Sequence, residues 1–376
     1  MKQIIGRNLK VARELTGISQ EQFAEKLGVS RATLSAVENG HVAIDSSKLL
    51  SAARILGRAV GDFFNEEQEA LALMYRAAAD AIAPSDVRLQ FEHFCKAYRE
   101  LEEVVGVADS LLPPPAYTYN PAVHSKPFQF SMQVAYSERD RLGLGQLEPI
   151  ENLFRLFDDR GIKIFRHAME DYEIYGLSAF SPEYGACIFV NAANTVERQI
   201  FSLAHEYGHT LMHRSFYKNP APAAGLAKDH ELERMANQFA ACFLVPEPSL
   251  REVYLRDVGD KQVGVEDIVH MKRLFRVSAK MMIQQLSDVS LIPKAEGLRL
   301  SQEIEKHHEP KKEFAPLSEE LIKEWEANSR FLHLLKRAAL GGMLSLGKLA
   351  ELMDVPLLEA RKMMQSWRKE ISFAQA

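Results

Sequence analysis

The pentapeptide His205-Glu206-Tyr207-Gly208-His209 constrains this chain more than any other stretch of its sequence. On an α-helix, residues four positions apart lie on one face about 6 Å apart along the axis, so both imidazoles can reach one metal ion. Imidazole suits zinc, and a zinc ion that takes part in catalysis keeps one position open for water. Glu206 lies between the histidines and can take a proton from that water. The motif therefore predicts a metal site with its own general base.

The residues around the pentapeptide favour such a helix over a chance match. Apolar residues recur at helical spacing from Ile200 to Leu203, and Leu211 and Met212 continue the apolar face. We predict a helix from about Val196 to His213.

A catalytic zinc site needs a third protein ligand, and Glu233 is the best candidate. It lies in a segment, Asp229 to Leu244, that is predicted to be a second helix ending before Pro246. Asn237 would follow one helical turn later, where its carbonyl can accept the outer N–H of a ligand imidazole. An acidic first turn is also favoured by the helix dipole, so Glu233 can instead be a solvated carboxylate, with Glu231 as the alternative ligand.

Three further residues are candidates for roles beside the metal. His213 continues the helical face after His209, so it can support a ligand or donate to a transition state, or it can be a capping or partly buried histidine. Tyr217 and His230 can stabilise an oxyanion, and spacing alone does not choose among the three. Together with Glu206, such a site predicts hydrolysis of a peptide bond.

Length and composition indicate a multidomain globular protein. The chain has 376 residues, more than one typical domain, and 47% hydrophobic with 26% charged residues is ordinary for a folded chain. No apolar run approaches the ~20 residues that span a bilayer, and the first residues do not form the apolar core of a signal peptide. We therefore expect a cytoplasmic protein with no membrane partner. Cys95, Cys187 and Cys242 are widely separated and odd in number, so we expect buried free thiols.

The N-terminal end differs from the rest of the chain in charge. Residues 1–64 carry nine Lys and Arg against six Asp and Glu, a net charge of +3, whereas the whole chain carries −5. We predict five short helices here: Ser19 and Gln22 form a capping box, Gly28 stops one helix and Ser30 caps the next. This basic end is the candidate for nucleic-acid binding.

The segment from Ile18 to Gly40 has the pattern helix, tight turn, helix. Its second helix, Arg31 to Glu38, packs Leu34 and Val37 inward and exposes polar residues that can enter a major groove. A residue at the start of the first helix can also contact phosphate. The candidate DNA contacts are Gln20, Ser30, Arg31, Ala32, Thr33 and Ser35. A small bundle used only for protein contact is the alternative.

Segments rich in proline or glycine, together with changes in charge along the sequence, divide the chain into four parts. They are residues 1–65, a helix-turn-helix domain; 66–127, a helical connector and proline-rich linker; 128–290, the domain with the metal motif; and 291–376, a linker and a C-terminal helical region. We predict a helical hairpin over 66–112, and Pro113-Pro114-Pro115 begins a linker that runs to about Pro127.

The part with the metal motif mixes strands and helices. We predict a helix over 150–159, strands over 161–165, 176–180 and 187–191, and, beyond the metal motif, helices over 249–257, 265–275 and 278–288.

In the C-terminal part, the polar composition of residues 292–316 predicts a linker, and we predict helical structure again from Leu317 to about Trp367. Residues 344–356 have a helix-turn-helix rhythm with few basic residues for a groove, so packing or a protein partner is favoured. The fold class is mainly α with a small β-sheet.

Two segments resemble known families. Residues 4–64 resemble the Cro/phage-repressor (XRE) helix-turn-helix family, and residues 176–246 resemble the ImmA/IrrE metallopeptidases. The second resemblance rests on Gly176, Phe189-Val190-Asn191, Arg198, Phe201, the pentapeptide, Glu233, Phe239-Ala240-Ala241 and Leu244-Val245-Pro246. The helix from Val277-Ser278 to Leu286 also fits, and Cys242-Phe243 departs from the commonest pattern without touching a predicted ligand.

Each resemblance implies a function. The first implies sequence-specific binding to a double-stranded DNA operator, commonly as a homodimer. The second implies a zincin-like fold with Zn²⁺, or Mn²⁺ as an alternative, held by His205, His209 and Glu233, with Glu206 as the base. It also implies cleavage of a repressor or related regulatory protein, for which we expect a stress or phage response as the setting. The alternative is a non-catalytic repressor or antitoxin whose peptidase-like domain is a sensory or partner-binding scaffold.

Overall fold

The computed structural model describes residues 1–16, 18–56, 60–64, 73–77, 85–124, 126–169, 174–218, 230–306 and 312–374. Within these ranges the chain is mainly helical with one four-stranded sheet, which confirms the predicted α+β class. None of the described helices is both long and apolar enough to cross a membrane.

The N-terminal unit consists of short helices around a core of its own. They are α1 (Lys2–Leu15), α2 (Gln20–Leu27), α3 (Arg31–Glu38), α4 (Ser46–Leu56) and a 3₁₀ helix (Val60–Phe64). Ser19 and Gln22 form the predicted capping box, Gly28 ends α2 with a φ of 65°, and Ser30 caps α3. The five predicted helical segments are therefore confirmed.

A mixed sheet with the strand order β1-β3-β4-β2 lies under the metal motif. The strands are β1 (Leu73–Ala77), β2 (Lys163–His167), β3 (Ile174–Ser181) and β4 (Gly185–Asn191). β3 pairs antiparallel with both β4 and β1, and β2 runs parallel to β4. Three strands match the predicted ones.

β1 is a correction to the predicted helical hairpin over 66–112. Residues 73–77 form a strand because they pair with β3, a segment far along the chain, and that pairing overrides local helix propensity. In the other described residues of this segment the helical structure is α5 (Ser85–Val105), and residues 106–112 are not helical.

Helices cover the sheet and enclose the largest core. They are α6 (Pro127–Arg141), α7 (Leu153–Asp159), α8 (Val196–Met212), a 3₁₀ helix (Arg214–Lys218), α9 (His230–Leu244), α10 (Glu247–Asp257), α11 (Val265–Phe275), α12 (Ala279–Asp288), α13 (Lys294–Lys306) and α14 (Glu320–Ala327). The core joins Ile188 of the sheet to Leu203 of α8 and Phe239 of α9. Asp229, the predicted start of α9, lies outside the described residues.

The polar segment 292–316 is not only a linker, because it contains α13. Gly297, Leu300 and Ile304 are buried at helical spacing and pack this charged helix against its neighbours. Because most of its residues are polar or charged, the narrow apolar face of this helix was not recognised in the sequence.

The C-terminal helices pack on α5. They are α15 (Arg330–Leu340), α16 (Leu346–Leu352) and α17 (Leu357–Ala374), and their core includes Leu101 of α5. The other end of α5 packs on the sheet through Phe91 and Cys95. All three cysteines are buried and free, as predicted.

The turn between α16 and α17 repeats the geometry of the turn between α2 and α3. The N–H groups of Gly28 and Val29 donate to the carbonyls of Glu25 and Ala24, and those of Asp354 and Val355 donate to Glu351 and Ala350. Gly28 and Asp354 both have positive φ, 65° and 51°. The helix-turn-helix pattern in the C-terminal sequence thus corresponds to two helices, α16 and α17, joined by a turn like the one between α2 and α3.

Candidate metal centre and nucleic-acid interface

Three potential ligands meet between α8 and α9. His205 and His209 project from one face of α8 and are buried, and Glu233 comes from the first turn of α9. The two Nε2 atoms are 3.1 Å apart, and the Glu233 carboxylate lies 3.3 Å from Nε2 of His205 and 3.2 Å from Nε2 of His209. All the ligand atoms lie within 4.8 Å of one another.

Gly208 lets the two helices approach closely enough to form this group. A Cβ atom at Gly208 would lie 2.8 Å from Cδ1 of Phe239 on α9, closer than packed atoms allow. The glycine inside the pentapeptide is therefore a packing requirement as well as part of the motif.

The outer nitrogen of each histidine is also engaged. Nδ1 of His205 lies 3.0 Å from the amide oxygen of Asn237, and Nδ1 of His209 lies 2.8 Å from Nδ1 of His213. Because an amide oxygen only accepts, His205 carries its proton on Nδ1 and keeps a lone pair on Nε2. Burial, together with His209 and His205, lowers the pKa of His213 far below its usual range, so a neutral His213 can accept from His209 in the same way.

Two imidazole lone pairs and a carboxylate facing one another repel unless a cation lies between them. The separations of 3.1 to 3.3 Å are close to the ~3.3 Å edge of a tetrahedron with ~2.0 Å bonds, the geometry that zinc prefers. Burial raises the pKa of Glu233, but its contacts with the imidazoles of His205 and His209 lower that pKa by more, to well below its usual range, so this carboxylate is ionised. The residues present therefore fit a divalent metal ion.

Glu206 lies against β3 rather than among the potential ligands. Oγ of Ser178 donates to Oε2 of Glu206 over 2.5 Å, and the hydroxyl of Tyr217 lies 3.0 Å from Ser178. Burial raises the pKa of Tyr217, so this phenol stays protonated and can donate to Ser178. A Cβ at Gly176 would lie 3.0 Å from Cγ of Glu206, so only glycine fits there without a shift.

The candidate DNA face lies on α3. Arg31, Ala32 and Thr33 are exposed, and Ser35 is half-buried. Oγ of Ser30 accepts the N–H of Thr33 over 3.0 Å, so Ser30, one of the candidate DNA contacts, caps α3 as predicted.

Gln20 is held at the start of α2 by a buried ion pair. Its amide donates to Glu38 over 2.9 Å, and Glu38 also pairs with Arg13 at 2.6 Å. This network joins α1, α2 and α3 and fixes the angle at which α3 is presented.

Two segments of the chain match family models. Residues 9–63 match the helix-turn-helix family. Residues 157–287 match the IrrE N-terminal-like peptidase domain. The chain therefore joins a helix-turn-helix domain to an IrrE-like metallopeptidase-type domain, as the two resemblances in its sequence predicted. Comparison with curated proteins gave no match.

Three solved structures align over most of the chain with low scores. PlcR of Bacillus thuringiensis, in complex with the peptide PapR7 and DNA, shares 11% identity over 99% of this chain and 97% of its own, with a TM-score of 0.19. ComR of Streptococcus vestibularis shares 11% over 87% and 98%, with a TM-score of 0.17, and ComR of Streptococcus suis shares 10% over 100% and 96%, with 0.16. Scores this low do not establish a shared fold.

The structure of the IrrE-like domain brings together most of the residues predicted for the site. His205, His209, Glu233, Asn237 and His213 form one connected group, and Tyr217 reaches Glu206 through Ser178. The alternatives Glu231 and His230 are exposed at the start of α9 and are not among the three grouped ligands.

Two supports of the site were absent from the sequence analysis. Ser178 is a polar residue in an apolar strand, which was the available signal. α6 was not predicted, although proline in its first turn is a helix-start signal. Glu138 of α6 accepts a hydrogen bond from Tyr207 over 2.6 Å and pairs with Arg141 at 2.7 Å, so α6 anchors the middle residue of the pentapeptide.

Proposed function

We propose that this chain is a transcriptional regulator whose IrrE-like domain is a zinc-dependent endopeptidase. The observation that carries the proposal is the convergence of His205, His209 and Glu233, with both outer imidazole nitrogens already bound. Two imidazoles with one carboxylate favour Zn²⁺, and Mn²⁺ is the alternative. A divalent ion held there supplies Lewis-acid chemistry toward a peptide carbonyl and toward water.

The protein's own residues divide the remaining work. Glu206 accepts a proton from the attacking water and later delivers it to the leaving amine. Ser178 fixes the Glu206 carboxylate by donating to one of its oxygens, and Tyr217 orients Ser178. Asn237 and His213 hold the two imidazoles in the tautomers that a ligand needs.

The N-terminal part, residues 1–65, supplies recognition of DNA in this proposal. α3 enters the major groove of an operator with Arg31, Ala32, Thr33 and Ser35 toward the bases, and Gln20 and Ser30 lie near the backbone. A homodimer would bind a two-fold operator through two copies of α3.

The proposed substrate of the domain over 128–290 is a repressor or related regulatory protein cut during a stress or phage response. A non-catalytic repressor or antitoxin, with the IrrE-like domain as a scaffold, is the second candidate. The helix-turn-helix match favours regulation in either case. The intact Glu206 and its hydrogen bond to Ser178 favour turnover, because a scaffold has no need of a positioned base.

The decisive comparison is between the wild type and Glu206→Gln, each loaded with zinc or manganese and incubated with candidate repressors. Cleavage by the wild type alone, with equal metal content and equal DNA binding in both, supports the endopeptidase. Absence of cleavage with full operator binding by both proteins favours the scaffold.

A further inference from the structure

β3 is the strand that lies against the proposed catalytic base. Ser178 of β3 donates to the Glu206 carboxylate, and Gly176 of β3 approaches its Cγ so closely that a Cβ would lie 3.0 Å away. A polypeptide that pairs with the edge of β3 opposite β4 therefore runs past Glu206. Unpaired strand edges bind extended peptides through the backbone, as added antiparallel strands.

β1 already lies on that edge. Met74 is opposite Ser178 and Arg76 is opposite Gly176, so the backbone of β1 crosses the two positions of β3 that contact Glu206. β1 also approaches α8, which carries the pentapeptide, and the 3₁₀ helix that carries Tyr217.

β1 comes from a different part of the chain than the rest of the site. The segment that matches the IrrE-like domain, residues 157–287, contains β2, β3, β4, α8 and α9. Residues 73–77 lie outside it, in the stretch that leads from the helix-turn-helix match over 9–63. The connector thus contributes a strand to a sheet whose other three strands belong to the peptidase-type domain.

We propose that β1 is an intramolecular ligand of the β3 edge, so that residues 73–77 occupy the position taken by an extended polypeptide substrate beside Glu206. The substrate class is then a segment of about five residues in extended conformation, bound mainly through its backbone. This inference rests on the proposed endopeptidase function and adds its mode of substrate binding. A substrate must displace β1. Access to the site therefore depends on the connector that follows the DNA-binding domain in the sequence.

An intramolecular competitor lowers the apparent affinity for any peptide added in trans, because the connector keeps β1 at high effective concentration. The test uses the full chain with Glu206→Gln, loaded with zinc, and a fluorescent peptide with the sequence of residues 70–80. Tyr75→Pro removes a backbone N–H from β1 and disfavours the strand. Leu112→Pro is the matched control, because Leu112 is 88% exposed and precedes Pro113 in the proline-rich segment.

We expect Tyr75→Pro to bind the peptide about tenfold more tightly than its parent, and Leu112→Pro to bind it with unchanged affinity. Equal affinity in all three proteins, or weaker binding by a normally folded Tyr75→Pro, overturns the inference. A peptide carrying the same proline substitution should compete less well, since proline disfavours the strand conformation.

Hydrogen exchange in the chain without the Tyr75→Pro substitution shows whether added peptide displaces β1, even if Tyr75→Pro fails to fold. With saturating peptide, the amides of residues 73–77 should lose protection while those of β3 keep it. If residues 73–77 stay protected, β1 is a permanent strand and the inference is wrong.

The two proposals fail in different ways. Displacement of β1 without cleavage by the wild-type chain removes the endopeptidase and leaves the binding mode. Cleavage in trans while β1 stays protected removes the binding mode and leaves the endopeptidase.

Discussion

The two proposed functional regions of this chain hold their residues in opposite ways. On α3, Arg31, Ala32 and Thr33 are exposed on the surface of a small helical core. At the candidate metal centre, His205 and His209 are buried, and each imidazole has a partner on its outer nitrogen. DNA contacts tolerate adjustable side chains, whereas a metal ion requires ligands fixed in advance. A substitution on α3 should therefore change only the contact made by that side chain, whereas a substitution at the candidate metal centre should weaken metal binding by the whole group of connected residues.

The largest expected effect follows from removal of a ligand. His205→Ala should reduce zinc content from about one ion per chain to nearly none, because two remaining protein ligands do not hold a catalytic zinc. Metal analysis after dialysis measures this, and His230→Ala, an exposed histidine at the start of the same helix as Glu233, is the control. Undiminished zinc in His205→Ala would remove the metal assignment.

Loss of a supporting residue should have a smaller effect. Asn237→Ala leaves Nδ1 of His205 without its acceptor, and we expect metal affinity to fall about 10- to 100-fold, as measured by competition with a chelator. Asn237→Asp keeps an acceptor at the same position and should lose much less. If both variants bind zinc like the wild type, the buried hydrogen bond does not organise the ligand.

On the exposed side of the comparison, Arg31→Ala should weaken DNA binding by about 1–3 kcal/mol and leave the unfolding free energy unchanged. Fluorescence anisotropy at fixed salt, with a duplex selected from a random library by the wild type, measures the affinity. Arg361→Ala is the matched control. Arg361 is exposed on α17, and the turn before α17 has the same backbone hydrogen bonds as the turn before α3. Equal losses in both variants would show that only net charge matters.

A comparison of two glycine substitutions, one of them with the smallest expected effect, tests packing in the two regions. Gly208→Ala places a methyl group 2.8 Å from the Phe239 ring and should cost about 1–3 kcal/mol in urea denaturation. Gly61→Ala has no atom within 4 Å of the added Cβ and should change stability by at most about 0.5 kcal/mol. A neutral Gly208→Ala would mean that α8 and α9 can separate without loss, contrary to a preformed metal centre.

The sequence predicted those parts of the site that depend on local spacing. His205, His209 and Asn237 each follow from one helical turn, and α8 and α9 lie close to their predicted bounds. The position of Glu233 additionally required the second helix that was predicted from Asp229 to Leu244.

What the sequence did not predict depends on contacts between distant segments. β1 pairs with β3 although about a hundred residues separate the two strands in the sequence, and no local pattern in residues 73–77 indicates that pairing. Ser178 matters only because β3 runs beside Glu206, which one strand cannot reveal. α13 was mistaken for a linker because its buried face is only Gly297, Leu300 and Ile304.

The most direct measurement of the central claim is anomalous diffraction at the zinc edge from crystals of the zinc-loaded chain. We expect one strong peak about 2.0–2.2 Å from Nε2 of His205, Nε2 of His209 and a carboxylate oxygen of Glu233. A fully zinc-loaded chain whose peak lies away from these three side chains would contradict the account.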